Sequence, residues 1–457
     1  MIDKKIVKHL NILDKYKVII NKTETIRSLG SVTEVVGNTI ISKGPDVQLG
    51  ELCHIEKVVN KEYILAEVVG FRQNDIILAP LEKINGIFPG SRVLSTGSPI
   101  KVSMGNELLG RVIDGLGNPL DTKGKFFSAE SRTLYNKAPN PLTRPMITEK
   151  MLTGIKAIDS FLTIGRGQRI GVFAGSGIGK STLLGMIARY AQSDVNVIGM
   201  VGERGREVAE FIKNDLGEIG LKKSVLVVAS SNESPMHRVR AAYLTVSIAE
   251  YFREKGKNVL LLMDSLTRLA MAQREIGLAA GEPATSKGYP PSVFTMLPDL
   301  LERTGNSVDG SITGVFSVLA EGDDLNDPIV DTARGILDGH IVLSRKLAQK
   351  SHYPAIDIPA SISRSMNSVV DNEHQKTGSQ FREFLAEYQN NEEIIQLGAY
   401  VKGANQVLDR AMVVMPSLNR FLQQRVEEYQ SFETTYRQLK EIQKMITTDS
   451  MRLRKVS

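Results

Sequence analysis

The stretch Ala174-Gly-Ser-Gly-Ile-Gly-Lys-Ser181 decides the fold of this chain, because it has the pattern of a phosphate-binding loop between a strand and a helix. An apolar run at 169–173 precedes it and predicts a strand, and 182–190 follows it as an apolar helix. The three glycines let consecutive backbone N–H groups turn towards one anion, and the helix adds its positive N-terminal end. Ala174 stands where the strict pattern has glycine, a change that many such loops tolerate.

The side chains of the loop predict what it binds. Lys180 supplies a positive charge for the outer phosphates, and the hydroxyl of Ser181 is a ligand for Mg²⁺. We therefore expect a nucleoside triphosphate with Mg²⁺ here, held by the consecutive residues Ala174, Gly175, Ser176, Gly177, Ile178, Gly179, Lys180, Ser181 and Thr182.

Composition narrows the class of protein. The 457 residues are enough for two or three domains with real cores. Although the net charge is +6, lysines and arginines are spread along the chain without interleaved aromatics, which argues against a nucleic-acid partner. The single Cys53 excludes an internal disulfide and fits a reducing cytosol. No apolar run reaches the length of a membrane span and no secretory signal is evident, so we expect a cytoplasmic protein.

The pattern of apolar residues and turn residues changes along the sequence and predicts four segments. Residues 1–22 carry apolar residues at helical spacing among lysines, which is consistent with a partner- or lipid-binding helix and equally with a terminus that has no role. Short β-rich runs between glycine and proline turns predict a small β-barrel over 23–95. Apolar strands alternating with helices predict an α/β domain with a parallel sheet over 96–369, and periodic helical segments fill 370–457.

Two carboxylates are candidates for chemistry beyond the loop. The apolar run 259–263 ends on Asp264, which predicts a Mg²⁺ ligand at the carboxyl edge of the sheet, although many strands end on an aspartate that caps a helix. The run 197–203 ends on Gly-Glu, so Glu203 is a candidate for orienting a water for in-line attack. A salt bridge to a nearby arginine is the competing interpretation of Glu203.

Together these motifs resemble the rotary-type hexameric ATPases. The resemblance rests on Gly202-Glu-Arg204, on Asp264-Ser-Leu-Thr-Arg268 and on Pro354-Ala-Ile-Asp-Ile-Pro-Ala-Ser-Ile-Ser363. It covers nearly the whole chain and implies a RecA-like P-loop core between an N-terminal β-barrel and a C-terminal helical domain. The implied activity is Mg²⁺-dependent hydrolysis of ATP.

Further motifs are similar to the flagellum-specific ATPases of the type III protein-export apparatus. They are Phe173–Lys180, Leu266–Glu275, Lys287–Phe294 and Ile336–Arg345. The stretch Glu321–Arg334 also favours the flagellar group over the virulence injectisome ATPases, which remain an alternative, as does the catalytic subunit of a rotary ATP synthase.

The resemblance also implies roles for single residues. Glu203 becomes the catalytic carboxylate with Arg204 near the γ-phosphate, Tyr353 packs on the adenine ring, and Arg364 acts on the neighbouring subunit as an arginine finger. Because Glu203 is present, a non-catalytic ring subunit is disfavoured, and a nucleic-acid motor on the same core lacks its strand-binding face.

The partners implied are those of an export ATPase. They comprise five further copies in a homohexamer, a regulatory stator-like export protein at 1–22, and a coiled-coil stalk protein, chaperones and export substrates at the C-terminal domain. Such a protein associates peripherally with the export gate at the inner membrane.

Overall fold

A computed structural model describes residues 28–58, 61–320, 324 and 327–454. The chain divides into two compact units, Met1–Ile100 and Lys101–Ser457. The predicted partner-binding segment 1–22 and most of the acidic stretch 321–326 lie outside the described residues.

The first unit contains a closed antiparallel barrel, as the spacing of its strands predicts. Apolar side chains alternate along the strands and fill the interior, with Ile40, Cys53 and Ile64 among those fully buried. The six strands are β1 (Leu29–Val36), β2 (Thr39–Lys43), β3 (Leu52–Glu56), β4 (Tyr63–Arg72), β5 (Asp75–Pro80) and β6 (Arg92–Ser95). They close in the order β1-β2-β5-β4-β3-β6.

The second unit is built on a nine-stranded sheet. Its main path runs β19-β18-β12-β17-β15-β13-β14-β8, parallel throughout except for the last strand of the chain at one edge, and β16 pairs antiparallel with β17 off this path. The strands of the sheet are β8 (Arg111–Asp114), β12 (Arg169–Ala174), β13 (Val195–Val201), β14 (Ser224–Ala229), β15 (Asn258–Asp264), β16 (Gly305–Asn306), β17 (Ser311–Leu319), β18 (Gly339–Leu343) and β19 (Ile356–Ser363).

Two short ribbons accompany this sheet: β7 (Lys101–Met104) pairs with β9 (Glu130–Thr133), and β10 (Lys150–Met151) pairs with β11 (Ile164–Gly165). Short 3-10 turns occur at Asn106–Leu108, Pro141–Thr143 and Ser286–Gly288.

Helices cover the sheet, as the near-continuous apolar runs of its central strands require. Those of the α/β region are α1 (Lys156–Phe161), α2 (Lys180–Tyr190), α3 (Gly205–Glu210), α4 (Gly217–Lys222), α5 (Pro235–Glu254), α6 (Leu266–Ala279), α7 (Pro291–Leu301), α8 (Pro328–Ile336), α9 (Arg345–Gln349) and α10 (Met366–Val369). A π-helical turn, Phe211–Leu216, joins α3 to α4.

The chain ends in helices, as the loss of strand signals after residue 370 predicts. They are α11 (Asn372–Asn390), α12 (Glu392–Gln396), α13 (Gln406–Leu422) and α14 (Phe432–Arg454). Their apolar faces share one core with the α/β region, where Phe161 meets Phe381 and Phe421 edge to face. Among the described residues, no helix combines the length and apolar character needed to cross a bilayer.

Candidate nucleotide-binding site

The phosphate loop leaves β12 at the carboxyl edge of the sheet and leads directly into α2. Gly177 and Gly179 have φ angles of 77° and 90°, a left-handed conformation that glycine adopts without steric cost. Gly179 is the N-cap of α2, whereas Ile178 is buried and anchors the loop in the core. Backbone and helix terminus together form the anion-binding arrangement that the sequence predicts.

Three charged side chains from separate elements meet beside the loop. The Nζ of Lys180 lies 2.5 Å from Asp264 Oδ1 and 3.8 Å from Glu203 Oε1. Asp264 is the last residue of β15, and Glu203 follows β13, so the parallel strands deliver both carboxylates to one edge. The helix-capping interpretation of Asp264 is wrong, because the N-cap of α6 is Ser265, whose Oγ accepts from Arg268 N.

Glu203 occupies an environment that disfavours its charged form. Burial, reinforced by the negative charge of Asp264, raises the pKa of the Glu203 carboxyl to about 7, although Lys180 and Arg268 oppose the shift. Its Oε1 is buried without a hydrogen-bond partner among the residues that the structure describes, and the Nε of Arg268 lies 3.8 Å away. The contact to an arginine is therefore a long ion pair, and it leaves an acceptor free beside the phosphate loop.

The backbone around Glu203 is fixed at three points. Gly202 has a φ of 75°, and a Cβ there would lie 2.9 Å from the Cβ of Arg268, so β13 packs against α6 only because this residue is glycine. Gly202 N donates to Ala229 O, and Glu203 O accepts from Ser231 N. The carboxylate therefore stands on a rigid turn.

The donor set fits a Mg²⁺ ion that shares its coordination with a nucleotide. Asp264 and Ser181 offer oxygen atoms, the ligands that Mg²⁺ prefers, and Ser317 Oγ donates to Asp264 Oδ1 at 2.5 Å to orient that carboxylate. No cluster of three or more metal-ligating side chains occurs in the part of the chain that the structure describes. Mg²⁺ sites that are completed by water and phosphate oxygens typically have few protein ligands.

A cavity of about 900 Å³ opens next to the loop. Tyr353 lines it, half-exposed, with its ring 3.7 Å from the position that a Cβ on Gly179 would take. The segment 423–428 after α13 also lines the cavity, and Gln424 N donates to Tyr353 O. The cavity offers an aromatic face within reach of the phosphate loop.

The two predicted arginines lie away from this cluster. The Arg204 side chain is three-quarters exposed and contacts Glu207 at 3.7 Å, whereas Arg268, given no role from the sequence, approaches Glu203. The Thr-Arg pair after Asp264 in the sequence was the available signal for Arg268. Ser317 carried no comparable signal, because it lies within a continuous buried strand.

Arg364 lies at the end of the sheet where the parallel strands begin, whereas the phosphate loop lies at the end where they finish. It follows β19, which runs antiparallel to β18, and its N–H donates to Asp338 O just before β18 begins. Asp338 N in turn donates to Arg169 O at the start of β12. From Arg169 to Gly175 the chain advances six residues, about 20 Å at about 3.3 Å per residue. That separation exceeds the span of an arginine side chain.

This site defines a P-loop nucleoside triphosphatase. It combines the glycine loop after β12 with Lys180 and with the strand-end carboxylates of Glu203 and Asp264. Profiles of known families assign the chain more narrowly. The ATP synthase alpha/beta family, nucleotide-binding domain, matches residues 154–363, its beta-barrel domain matches 32–97, and the T3SS EscN ATPase C-terminal domain matches 370–441.

Individual relatives agree with these profiles. A flagellum-specific ATP synthase of Bacillus subtilis is 52% identical over 90% of this chain and 94% of its own, and one of Salmonella typhimurium is 46% identical over 95% and 98%. A type 3 secretion system ATPase of Xanthomonas euvesicatoria is 47% identical over 90% and 92%. The assembled ATPase EscN of enteropathogenic E. coli superposes with a TM-score of 0.85 at 42% identity, covering 90% of this chain and 99% of EscN. The chain belongs to the flagellar and type III secretion ATPases of the ATP synthase alpha/beta family, and it hydrolyses ATP.

Proposed function

We propose that this protein is the ATPase of a flagellar type III export apparatus, that it requires Mg²⁺, and that it works as a homohexamer. The observation that carries the catalytic part is the cluster of Lys180, Glu203 and Asp264 beside the phosphate loop. The flagellar assignment is supported by 52% identity to the Bacillus flagellar relative, which exceeds the 47% of the Xanthomonas secretion ATPase, whereas the Salmonella flagellar relative, at 46%, does not separate the two groups.

Each residue of the site has a role that follows from its position around the phosphate loop. Lys180 and the loop amides bind the phosphates. Ser181 and Asp264 would hold Mg²⁺, which would withdraw charge from the phosphate oxygens. Glu203 accepts a hydrogen bond from the attacking water through its free Oε1, and Arg268 keeps that carboxylate in place. Tyr353 stacks on the adenine in the adjacent cavity, and Arg204, on the exposed turn after Glu203, approaches the γ-phosphate only by reorienting.

Arg364 serves the site of the neighbouring subunit. Its place at the far edge of the sheet separates it from the phosphate loop of its own chain, so a role in phosphoryl transfer requires a second copy. An arginine supplied in trans stabilises charge in the transition state and makes hydrolysis depend on assembly.

The remaining partners follow from likeness to the relatives. EscN has been solved as an assembled ATPase and in complex with its central stalk EscO. We extend this to a coiled-coil stalk protein, chaperones and export substrates at a C-terminal domain of 370–457. A stator-like regulator at 1–22 brings the ATPase domain, 96–369, and the barrel, 23–95, to the membrane export gate from the cytoplasm.

Replacing Glu203 tests the catalytic assignment. Glu203→Gln keeps the volume of the side chain but weakens its acceptor, so we expect ATP binding within about threefold of wild type and hydrolysis lower by about a hundredfold or more. Glu210→Gln, a half-exposed carboxylate that pairs with Arg206, is the matched control and keeps full activity. Parallel loss of binding and hydrolysis in Glu203→Gln would show that the residue is structural.

A functional assay separates flagellar from injectisome export. Expression of this chain in a motile bacterium whose own flagellar ATPase gene is deleted restores swimming if the flagellar assignment is right. Rescue of effector secretion in an injectisome ATPase mutant, without rescue of swimming, would favour the secretion system instead.

A further inference from the structure

A fully buried amide lies at the amino end of β12, at the opposite end of this strand from the phosphate loop. Gln168 has no solvent exposure, and each polar atom of its side chain is engaged. Its Nε2 donates to Asp338 O at 3.0 Å and to Ser363 Oγ at 3.1 Å, and its Oε1 accepts from Gly165 N at 2.8 Å.

These contacts reach Arg364 through two routes. Asp338 O accepts from Gln168 and also from the backbone N–H of Arg364, so one carbonyl joins the buried amide to the arginine. Ser363, the residue immediately before Arg364, is held by Gln168 and donates from its Oγ to Thr163 O at 2.8 Å. The backbone that leads into the arginine is therefore fixed at Ser363 and at the N–H of Arg364.

The neighbouring residue of β12 strengthens the same connection. Asp338 Oδ2 accepts from Arg169 N at 3.0 Å and from Arg169 Nε at 3.1 Å, and its Oδ1 accepts from Arg169 Nη2 at 3.1 Å. A paired, charge-assisted contact of this kind fixes geometry as well as adding energy. We call Gln168, Arg169, Asp338 and Ser363 the β12–β19 clasp.

We propose that Gln168 is a positioning residue for Arg364, and that the β12–β19 clasp aims this arginine at the active site of the next subunit. The inference rests on the trans-acting role proposed above for Arg364. Since β19 is an edge strand that, within the described part of the chain, pairs with β18 alone, the sheet holds the arginine from one side. The clasp supplies further contacts at the amino end of β12, the strand that also carries the phosphate loop of the same chain.

The geometry of the clasp predicts which kinetic constant changes. Gln168 touches none of the residues assigned to nucleotide binding, so its replacement leaves KM nearly unchanged. A small displacement of a transition-state group lowers kcat instead, by up to about a hundredfold for a shift of about 1 Å. Gln168→Met keeps the length of the side chain and removes its hydrogen bonds, and we expect roughly a tenfold fall in kcat.

Rings assembled from two variants allow Gln168→Met to be tested separately in the subunit that donates the arginine and in the subunit that hydrolyses ATP. Arg364→Ala subunits keep their own site but donate no arginine, and Glu203→Gln subunits bind nucleotide without hydrolysing it while donating an intact arginine. A mixture of the two recovers ATP hydrolysis at interfaces where a Glu203→Gln subunit serves an Arg364→Ala site. Gln168→Met is then added to either subunit, with the mass of the rings measured in parallel.

The expected result is asymmetric. Gln168→Met in the arginine-donating subunit removes about nine-tenths of the recovered rate, whereas in the hydrolysing subunit it leaves that rate nearly unchanged. Equal effects in both subunits, or no effect in the donor, would overturn the positioning role. If the parent mixture recovers no hydrolysis, the trans-acting arginine is itself wrong and the positioning role falls with it.

A second variant covers the case in which Gln168→Met fails to form rings. Ser363→Ala removes one route of the clasp but leaves the bond between Gln168 and Asp338 O, so the donor subunit loses a smaller share of the recovered rate. A donor carrying Ser363→Ala that performs as well as its parent, together with rings of normal mass, contradicts the proposal.

Discussion

Glu203 is buried, its pKa is raised, and its Oε1 makes no hydrogen bond within the described residues. Burial alone would favour a neutral carboxyl that donates a hydrogen bond, which is of no use for orienting a water. The cations of Lys180 and Arg268, each 3.8 Å from Oε1, oppose this effect and hold the pKa near neutrality. The carboxylate form is therefore accessible at working pH.

This environment predicts how stability depends on pH. Because the pKa of Glu203 rises from 4.5 to about 7 on folding, the folded state binds more protons between these values, and the free energy of unfolding falls as pH rises through the window. Glu203→Gln removes this effect. Without nucleotide, the variant is more stable than wild type above pH 7, by at most about 3 kcal/mol, and the advantage fades towards pH 4.5.

Urea unfolding followed by circular dichroism at several pH values measures this difference. Glu210→Gln, in which a half-exposed carboxylate is lost, controls for the general effect of removing a negative charge. A difference between Glu203→Gln and wild type that stays constant from pH 4.5 to pH 8 would contradict the assigned environment.

The turn between β13 and α3 is the element on which this chemistry depends. Gly202→Ala forces an alanine into a φ of 75° and brings its Cβ to 2.9 Å from the Cβ of Arg268. We expect a loss of about 1–3 kcal/mol in stability from strain at this position. The turn must also shift, so kcat falls while the affinity for ATP, set mainly by the loop, changes little.

Thermal unfolding and steady-state kinetics check this prediction together. Gly205→Ala is the matched control, since that glycine begins α3 three residues later with open space around its Cβ position. Wild-type stability and turnover in Gly202→Ala would mean that the turn accommodates a side chain and does not fix Glu203.

Elements whose residues form a recognisable pattern over a short stretch of chain were predictable from the sequence. The strands around the loop, the strand ending on Asp264 and the barrel needed only short-range patterns, and the fold confirms each of them. Contacts between distant positions were not predictable: Ser317 meets Asp264 from 53 residues away, and Gln168 meets Ser363 from 195. Such pairs depend on strand order, which local periodicity does not encode.

At the scale of the whole molecule, the proposed role of Arg364 on the neighbouring subunit would make each chain contribute to two sites, because this arginine lies too far from the phosphate loop of its own chain. One chain supplies Lys180, Glu203 and Asp264 at one edge of the sheet and Arg364 at the other. A monomer then binds ATP fully but lacks one group for the transition state. The rate per subunit should therefore rise steeply with protein concentration as rings form.

Arg364→Ala isolates this dependence. We expect the variant to bind ATP like wild type and to match the low wild-type rate at concentrations where both are monomers. At concentrations where rings form, its rate per subunit falls by about a thousandfold relative to wild type, because the missing guanidinium acts only across an interface.

ATPase rate per subunit is measured against protein concentration, with mass photometry in parallel to follow ring formation. Arg437→Ala, which removes an exposed arginine of α14, keeps the wild-type curve. An Arg364→Ala curve that overlays wild type at every concentration would show that hydrolysis needs no arginine from the neighbouring chain.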